Sequence, residues 1–385
     1  MKQIRLGMIG GGTGSFIGPI HRKAAGLDGR FILHAGAFSS DVNTSQDTGR
    51  ELHLHPSRVY RSFQEMLQQE AALPVAQRIQ AVAIVTPNHL HAEPAIMAME
   101  RGIHVILDKP MCVSLAEAQK LKTVADQTGC LLAVTHTYAG YPLVKEARHL
   151  VKSGKLGKIR KIYIEYPQGW LSTFLESSGQ KQAAWRTDPQ RAGKGGSIGD
   201  IGTHAAHLAE YVSGLKITHV CAALHTQVSG RLLDDDAAAL LRFEQGASGV
   251  LIATQVAAGE ENNLKIRLYG ESGGLEWSHN EANSLQVKML DQPLQIYRSG
   301  SSYLSRVARD NSRLPAGHPE GFIEALANVY NNFANAVDAK IHNSFDPAKD
   351  YDFPSVEDGL RSIAFIETMI ASANAAEKWT KVVTR

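Results

Sequence analysis

Residues 4–18 read IRLGMIGGGTGSFIG, an apolar strand pattern followed at once by a glycine-rich turn and the start of a helical pattern. Glycines let a backbone turn tightly and approach a pyrophosphate, which then lies at the positive end of a helix. This turn therefore predicts a dinucleotide site. Its residues are Gly10, Gly12, Thr13, Phe16 and Ile17. The alternative is a glycine-rich turn without a ligand, because Ser15 holds the usual position of the third glycine and Gly18 comes three residues later.

The alternation that begins with this turn continues to about residue 138. Helical patterns separate short apolar runs throughout this stretch. The apolar runs are 4–9, 31–38, 81–86, 104–108 and 131–135, and the helical patterns fall at about 19–27, 62–69, 89–101 and 114–128. Alternating β and α units predict an α/β domain with a doubly wound parallel sheet of the Rossmann type.

Beyond residue 138 the order of predicted elements changes, because strand patterns follow one another with few helices between them. They fall at 158–167, 216–228, 237–244, 247–257, 264–269 and 284–290, with one helical pattern near 200–213. Such a series predicts an α+β domain with a mostly antiparallel sheet. With 385 residues the chain exceeds the roughly 250–300 at which one core stops growing. We therefore expect domains at 1–138 and 139–385, with a C-terminal helix at about 355–378 that packs back on the first domain.

Composition excludes several classes of protein. Lys and Arg total 40 against 38 Asp and Glu, and no basic block suits a phosphate backbone, so nucleic acid is not an expected partner. No apolar run approaches the roughly 20 residues of a membrane span, and the first residues lead directly into a strand pattern. We expect a cytoplasmic protein without a membrane partner. The scattered Cys112, Cys130 and Cys221 fit reduced thiols and not a disulfide framework or a cysteine zinc site.

Two stretches follow predicted strands of the first domain. The ends of parallel strands form the ligand crevice of such sheets, so both stretches predict cofactor contacts. The candidates are Thr86, Pro87, Asn88 and His91 in the first stretch and Asp108 and Lys109 in the second. Pro110 restricts the backbone of Lys109 and is a candidate for a cis bond, which would hold the lysine out of the sheet. A solvated surface lysine is the alternative.

The segment GDIGTHAAH at 199–207 opens the early helix of the second domain. At about 100° per residue, Asp200, His204 and His207 share one helical face. A carboxylate one turn before a histidine orients the ring as a general base requires. A zinc site and an ordinary polar face are the alternatives, and we expect no metal.

Taken together, these segments resemble the glucose-fructose oxidoreductase and inositol 2-dehydrogenase family (Gfo/Idh/MocA). The resemblance covers nearly the whole chain and also includes AWRTDP at 184–189 and RLPAGHPEG at 313–321. It implies a Rossmann domain, a second domain with a large open sheet, and assembly into homodimers or homotetramers. It also implies a catalytic lysine, aspartate and histidine, which match Lys109, Asp200 and His204.

Three departures from the family pattern stand out. The glycine turn carries an extension, Asp108 replaces the usual glutamate, and His207 stands where members often have Asp or Asn. The first two leave the reaction type untouched, whereas the third bears on the identity of the substrate.

The expected function is that of an NAD(P)-dependent dehydrogenase oxidising a secondary hydroxyl of a sugar, glycoside or cyclitol. His204 would take the hydroxyl proton, Lys109 would hold the hydroxyl oxygen, and hydride would pass to C4 of the nicotinamide. Aromatic faces and fixed polar groups suit a polyol, and core or turn packing is the alternative for each. The substrate candidates are Tyr138, Tyr141, Gln168, Trp170, Trp185, Arg186, His207 and His318. An NAD-dependent glycosidase and a non-catalytic nucleotide-sensing regulator of the same fold are the competing functions.

The choice of cofactor depends on the residues that follow the second strand. NAD-binding domains place an acidic residue there, whereas NADP-binding domains have small or basic groups. Here the position falls on Phe38 or Ser39, or on Asp41 if the alignment slips by one residue. No basic residue follows Ser39 until Arg50, and Arg22, Lys23 or Arg50 could reach a 2′-phosphate only through folding. We expect NAD, with NADP as the alternative, and expect Ser39 and Ser40 at the adenosine ribose.

Overall fold

The computed structural model describes residues 3–384, and its contacts divide them into two units. The first unit comprises the chain up to Cys112, Ala116–Thr137 and Leu326–Leu360. The second comprises Val113–Leu115, Tyr138–Ala325 and the chain from Arg361.

Five parallel strands form the sheet of the first unit. They are β1 (Ile4–Gly10), β2 (Phe31–Ala37), β3 (Ala81–Val85), β4 (His104–Leu107) and β5 (Leu132–Val134). Their order is β2-β1-β3-β4-β5, so the order reverses between β1 and β3. β3 is buried along its whole length, as expected for a parallel strand covered on both faces. The predicted Rossmann architecture is confirmed.

Helices connect these strands. They are α1 (Ile17–Leu27), α2 (Val42–Glu51), α3 (Phe63–Ala72), α4 (Ala92–Met99) and α5 (Leu115–Thr128). The sequence patterns did not predict α2, because its buried residues Ser45, Thr48 and Gly49 are small or polar and give no apolar stripe. Its start is set by Asp41, whose carboxylate accepts the Thr44 N–H at 2.7 Å.

Nine strands form the sheet of the second unit. They are β6 (Lys161–Pro167), β7 (Ile217–His225), β8 (Asp236–Phe243), β9 (Ser248–Thr254), β10 (Lys265–Tyr269), β11 (Gly273–Ser278), β12 (Ser284–Met289), β13 (Gln295–Arg298) and β14 (Trp379–Lys381). Their order is β13-β12-β11-β10-β6-β9-β8-β7-β14, and every neighbouring pair is antiparallel except β6 and β9. The mostly antiparallel sheet is confirmed, whereas β11, β13 and β14 were not predicted. β13 and β14 have only four and three residues, and β11 opens with two glycines, which are depleted in strands.

The remaining helices belong mainly to the second half of the chain. They are α6 (Pro142–Lys152), α7 (Lys181–Arg186), α8 (Pro189–Ala192), α9 (Thr203–Ser213), α10 (Arg306–Arg309), α11 (Phe322–Ile341) and α12 (Val356–Asn374). Contacts place α6 and α9 on one face of the nine-stranded sheet, where alternate residues of β8 are buried. The other face exposes Leu240 by 50% and Ile252 by 39%.

The polar segment 298–319, expected to be a lid or an interface, contains α10 and is held at two points along its length. Glu146, itself 2% exposed, accepts the Ser305 N–H at 2.9 Å, and Glu320 accepts the Leu314 N–H at 2.8 Å. The prediction of a lid or an interface stays a prediction. Within residues 3–384, no helix has the length and apolar character needed to cross a membrane.

Candidate active site

The glycine turn after β1 depends on four of its glycines. Gly10 and Gly11 have φ angles of 80° and 75°, which favour glycine. A Cβ on Gly12 would lie 2.9 Å from the Phe38 carbonyl oxygen, and one on Gly18 would lie 2.4 Å from the Gly11 Cα. Gly18 therefore allows the close packing that the third glycine provides in turns of usual length, and the extension leaves this function intact.

The same turn fits a dinucleotide. The Ser15 Oγ is buried in it and has no hydrogen-bond partner among the described residues. The Gly12 and Thr13 N–H groups fix the shape of the turn, because they donate to the Phe38 carbonyl and to Thr48 Oγ1, at 3.1 and 3.0 Å. Because the first N–H groups of a helix have no partner within it, the start of α1 supplies the donors that a pyrophosphate needs. Phe16 and Ile17 lie at that start, where Phe16 is 61% exposed.

The residues after β2 leave a polar surface without a free acidic group. Phe38 is 2% exposed and folds over Gly36, where a Cβ would lie 2.1 Å from the phenylalanine Cζ. Ser39 and Ser40 follow it, and Ser39 Oγ accepts the Asp41 N–H at 3.1 Å. The hydrogen bond from the Thr44 N–H lowers the pKa of the Asp41 carboxyl, which caps the N-terminus of α2.

Two basic residues that could bind a 2′-phosphate are already engaged. The Arg22 guanidinium donates to the Gly11 carbonyl oxygen at 2.7 Å, and Arg50 pairs with Asp47 on the surface. These contacts favour NAD over NADP at this end of the site.

His91 braces the two stretches that follow β3 and β4. It is 0% exposed, and its ring nitrogens lie 2.7 Å from the Thr86 carbonyl oxygen and 2.9 Å from that of Pro110. Burial lowers the pKa of this imidazole. A neutral imidazole donates only one hydrogen bond, so His91 bonds the carbonyl of one stretch and packs against that of the other. Pro87 and Asn88 lie between Thr86 and His91.

Asp108 fixes the backbone of Lys109. Its Oδ1 accepts the Lys109 N–H and the Thr135 hydroxyl, both at 2.9 Å. The Lys109–Pro110 peptide bond is cis. Behind the carboxylate, the buried His21 ring has its Nε2 at 4.0 Å from Asp108 Oδ1 and its Nδ1 at 2.8 Å from the Tyr330 hydroxyl.

In the second unit, Asp200 lies on a π-helical turn, Ile198–Gly202, that leads into α9. The spacing of 100° per residue therefore holds only from Thr203 onward. The start of this turn is held by Asp234, whose carboxylate accepts the Gly196 and Ile198 N–H groups at 2.7 and 2.8 Å. Burial raises the pKa of this carboxyl.

The Asp200 carboxylate and the His204 ring each have defined neighbours. Gln255 Nε2 donates to Asp200 Oδ2 at 2.9 Å, and Arg186 Nε lies 3.6 Å from Oδ1. The centroid of the His204 ring is 4.9 Å from that of Tyr138 in a perpendicular arrangement and 6.4 Å from that of Tyr166.

The aromatic substrate candidates form one cluster with residues that sequence reasoning missed. Tyr138 hydrogen-bonds Tyr166, and the Tyr141 hydroxyl lies 3.1 Å from His279 Nε2. Burial raises the pKa of Tyr138 to about 12. Tyr166, Asn262, Gln255 and His279 carry no local motif, so no sequence signal identified them.

Gln168 and Trp170 lie beside this cluster. The Trp170 indole N–H donates to Gln168 Oε1 at 3.1 Å, and Gln168 Nε2 donates to Asn262 Oδ1 at 2.6 Å. Two candidates of the sequence analysis are therefore held by each other.

The other substrate candidates have separate surroundings. Trp185 lies under the Arg186 guanidinium at 4.3 Å. His207 is 7% exposed and its ring stacks on Tyr211 at 5.9 Å, and burial lowers its pKa to about 3. His318 is on the exposed stretch 314–319, with Nδ1 3.3 Å from the Pro315 carbonyl oxygen. Across the described part of the chain, no three His, Cys, Asp or Glu side chains group closely enough to hold a metal.

Comparison with known proteins decides the family. Residues 4–136 match the oxidoreductase family with an NAD-binding Rossmann fold, and residues 144–276 match the Gfo/Idh/MocA C-terminal domain. An uncharacterized oxidoreductase of Bacillus subtilis is 33% identical over 99% of this chain and 97% of its own length. The chain belongs to the Gfo/Idh/MocA family.

Two further members have informative names. An inositol dehydrogenase homologue of Azotobacter vinelandii, solved with NAD+, is 34% identical with a TM-score of 0.93, covering 99% of this chain and 97% of that chain. The same homologue has been solved with NADH and myo-inositol. Levoglucosan dehydrogenase of Pseudarthrobacter phenanthrenivorans is 27% identical over 99% of this chain and 99% of its own length. The resemblance, the oxidoreductase class and NAD as cofactor are confirmed.

Proposed function

We propose that this Gfo/Idh/MocA member is an NAD-dependent dehydrogenase that oxidises a secondary hydroxyl of a sugar, glycoside or cyclitol. The observation that carries the proposal is the arrangement around Asp200 and His204. A carboxylate held by an amide and a guanidinium precedes a histidine whose ring packs against two tyrosines. Such an arrangement suits a general base, which must keep one orientation while a proton moves to it.

Each catalytic residue has one role in this proposal. His204 takes the proton of the substrate hydroxyl, and the Asp200 carboxylate stabilises the charge that the imidazole gains. Lys109 holds the hydroxyl oxygen, on a backbone that Asp108 fixes through the Lys109 N–H. NAD supplies the hydride acceptor at C4 of its nicotinamide.

The cofactor residues divide by position along the first unit. Gly10, Gly12, Thr13, Phe16 and Ile17 bind the pyrophosphate end, and Ser39 and Ser40 contact the adenosine ribose. Thr86, Pro87, Asn88 and the Asp108–Lys109 pair serve the nicotinamide end, with His91 as the brace between them.

A polyhydroxylated substrate is favoured by the polar and aromatic groups near His204. Gln168 and Asn262 present amides whose orientation is fixed by hydrogen bonds, and Trp170 adds an apolar face. Hydroxyl-rich rings need this combination. The relatives named for inositol and levoglucosan support the same class.

The test is NAD+ reduction across a panel of inositols, free sugars and anhydrosugars. His204→Ala should lower kcat by about 10²–10⁴-fold while NAD binding persists, because general bases contribute about that factor. The control is His225→Ala, which removes an exposed histidine at the end of β7. A His204→Ala variant with wild-type kcat would contradict the assignment, as would failure of every polyol in the panel.

We also propose that the exposed face of the nine-stranded sheet forms a homodimer or homotetramer interface. Leu240 and Ile252 lie on neighbouring strands of that face, with Ala238 also exposed beside them. An apolar face of this kind is covered in most stable proteins. Light scattering at micromolar concentration tests the proposal, and a monomer would contradict it.

A further inference from the structure

Gln255 contacts the Asp200 carboxylate from a buried position. It follows β9 directly and is 2% exposed. Its backbone is fixed on both sides, since its N–H donates to the Asp235 carbonyl at 2.8 Å and its own carbonyl accepts the Leu171 N–H at 3.1 Å. The side-chain amide donates to Asp200 Oδ2 at 2.9 Å and faces Gln168 Oε1 at 3.4 Å. A buried amide with a fixed backbone has little freedom to leave this position.

The orientation of these amides follows from chemistry at both ends. A carboxylate only accepts hydrogen bonds, so the atom of Gln255 that faces Asp200 is its nitrogen. An indole N–H only donates, so the atom of Gln168 that faces Trp170 is its oxygen. Both amides are therefore fixed in one orientation, and both hydrogens of the Gln255 amide nitrogen are directed to acceptors.

The same series of bonds continues to the ring beside His204. Gln168 donates to Asn262 Oδ1 at 2.6 Å, and the Tyr166 hydroxyl donates to the same oxygen at 2.6 Å. Since the Tyr166 proton is used there, the Tyr138 hydroxyl donates to Tyr166. We call Gln255, Gln168 and Asn262 the amide chain. It begins at the Asp200 carboxylate and ends at the tyrosine pair whose rings contact His204.

We propose that Gln255 is a positioning residue for catalysis, which holds the Asp200 carboxylate and couples it through the amide chain to the rings around His204. The proposal rests on the proposed function, because it assigns a task to Gln255 only if Asp200 and His204 carry the reaction. The contact from Arg186 is longer, at 3.6 Å, and the Arg186 side chain is 21% exposed. Of these two groups, the Gln255 amide is thus closer to Asp200 and less exposed to solvent.

Two substitutions of Gln255 distinguish the effect of its hydrogen bond to Asp200 from the effect of its side-chain volume. Gln255→Leu keeps the volume and removes the donor, and should lower kcat by about 10²-fold, the typical effect of a catalytic group displaced by about 1 Å. The KM for NAD+ should stay unchanged, because the cofactor residues belong to the other unit. Gln255→Glu places a second carboxyl beside Asp200, which cannot donate until it is protonated. Its kcat relative to wild type should therefore rise as the pH falls, whereas the deficit of Gln255→Leu should not.

Thr254→Val is the matched control, because it removes the hydroxyl of the last residue of β9, directly before Gln255, and leaves the Gln255 contact to Asp200 in place. It should keep wild-type kcat. The double variant Asp200→Asn, Gln255→Leu should be no slower than Asp200→Asn alone, since Gln255 acts through Asp200. Each of three results would overturn the proposal. The first is a wild-type kcat for Gln255→Leu, and the second is a double variant whose loss of kcat equals the product of the two single losses. The third is a pH profile of kcat for Gln255→Glu that runs parallel to that of wild type.

Wild type, Asp200→Asn, Gln255→Leu and the double variant form a double-mutant cycle, and their urea unfolding midpoints are also compared. Coupling between the two substitutions in these midpoints shows that Gln255 holds Asp200 whether or not any polyol is turned over. Failure of the proposed function is visible separately, as a wild-type enzyme that oxidises no polyol although the midpoints couple. If the two substitutions shift the urea midpoint additively and the wild type is active, the role of Gln255 is overturned while the proposed function stands.

Discussion

Replacing Gly18 by alanine tests the structure of the glycine turn at one atom. The added Cβ would lie 2.4 Å from the Gly11 Cα and 2.6 Å from the Gly11 carbonyl oxygen. Both are backbone atoms, so no side chain can rotate away and the turn itself must move. Overpacking of this kind costs about 1–3 kcal/mol. The turn that moves also holds the Gly11 carbonyl contact of Arg22, so the damage extends along α1.

The same helix offers a matched control in Gly26. A Cβ there would meet nothing within 4 Å, and the residue lies in the last turn of α1. Gly26→Ala should therefore stabilise the protein by roughly 0.5–1 kcal/mol, through the lower conformational entropy of alanine in the unfolded chain. The two substitutions are chemically identical and predict opposite signs.

Urea unfolding midpoints and NAD+ titrations of wild type, Gly18→Ala and Gly26→Ala test these opposite predictions. Gly18→Ala should unfold at lower urea than wild type and Gly26→Ala at higher urea. If the displaced turn costs binding as well, the Kd for NAD+ of Gly18→Ala should rise about tenfold or more, since 1.4 kcal/mol is a factor of ten. A Gly18→Ala protein that matches Gly26→Ala in both assays would refute this explanation of the extended turn.

Four shorter predictions follow from the same structure. The pKa of His207 is lowered to about 3 by burial, so the unfolded chain binds an extra proton between that value and about 6.5. The free energy of unfolding should therefore fall as the pH drops below about 6.5, and His207→Gln should remove up to about 1.4 kcal/mol per pH unit of that slope. Parallel curves for the two proteins would contradict the burial argument. Lys109→Ala should lower kcat by about 10²–10⁴-fold without unfolding the protein, and a wild-type rate would favour the surface-lysine alternative. The kcat/KM with NADP+ should be at least about tenfold below that with NAD+, because Arg22 and Arg50 are engaged elsewhere, and equal values would show a phosphate site near Ser39. Activity should survive prolonged chelation, whereas loss that zinc reverses would require Asp200, His204 and His207 to be reconsidered as ligands.

The sequence predicted the features that local patterns encode. The β/α alternation located all five strands of the first unit, because buried parallel strands are continuous apolar runs. It did not predict α2, whose buried face consists of small and polar residues, or β14, which has three residues. Both elements are stabilised by their neighbours and not by their own pattern: the Asp41 cap starts α2, and β14 pairs with β7.

The candidate site divides in the same way. Gly10, Lys109 and His204 lie in motifs whose spacing is visible in the sequence. Asp234 and Gln255 do not, because each lies beside a strand without a recognisable motif and acquires its partner only when distant segments meet. The pattern placed Asp200 on an α-helix, whereas it lies on a π-helical turn. The Asp234 carboxylate holds the start of that turn from 36 to 38 residues away in sequence. No window of local sequence contains that information.

The position of this polar cluster follows from the single parallel pairing in the nine-stranded sheet. Because β6 and β9 run in the same direction, with Pro167 opposite Thr254, the residues that follow the two strands lie at the same end of the sheet. These residues are Gln168 and Gln255. The antiparallel neighbours β8 and β10 begin at the end where β6 and β9 finish, so Asp234 and Asn262, which precede β8 and β10, lie at that end as well. Had β9 been antiparallel to β6, Gln255 would lie at the opposite end of the strands, a strand length from Gln168, and the amide chain could not form. The strand order thus brings together the donor to Asp200, the cap of the π-helical turn and the partner of Tyr166, none of which are neighbours in the sequence.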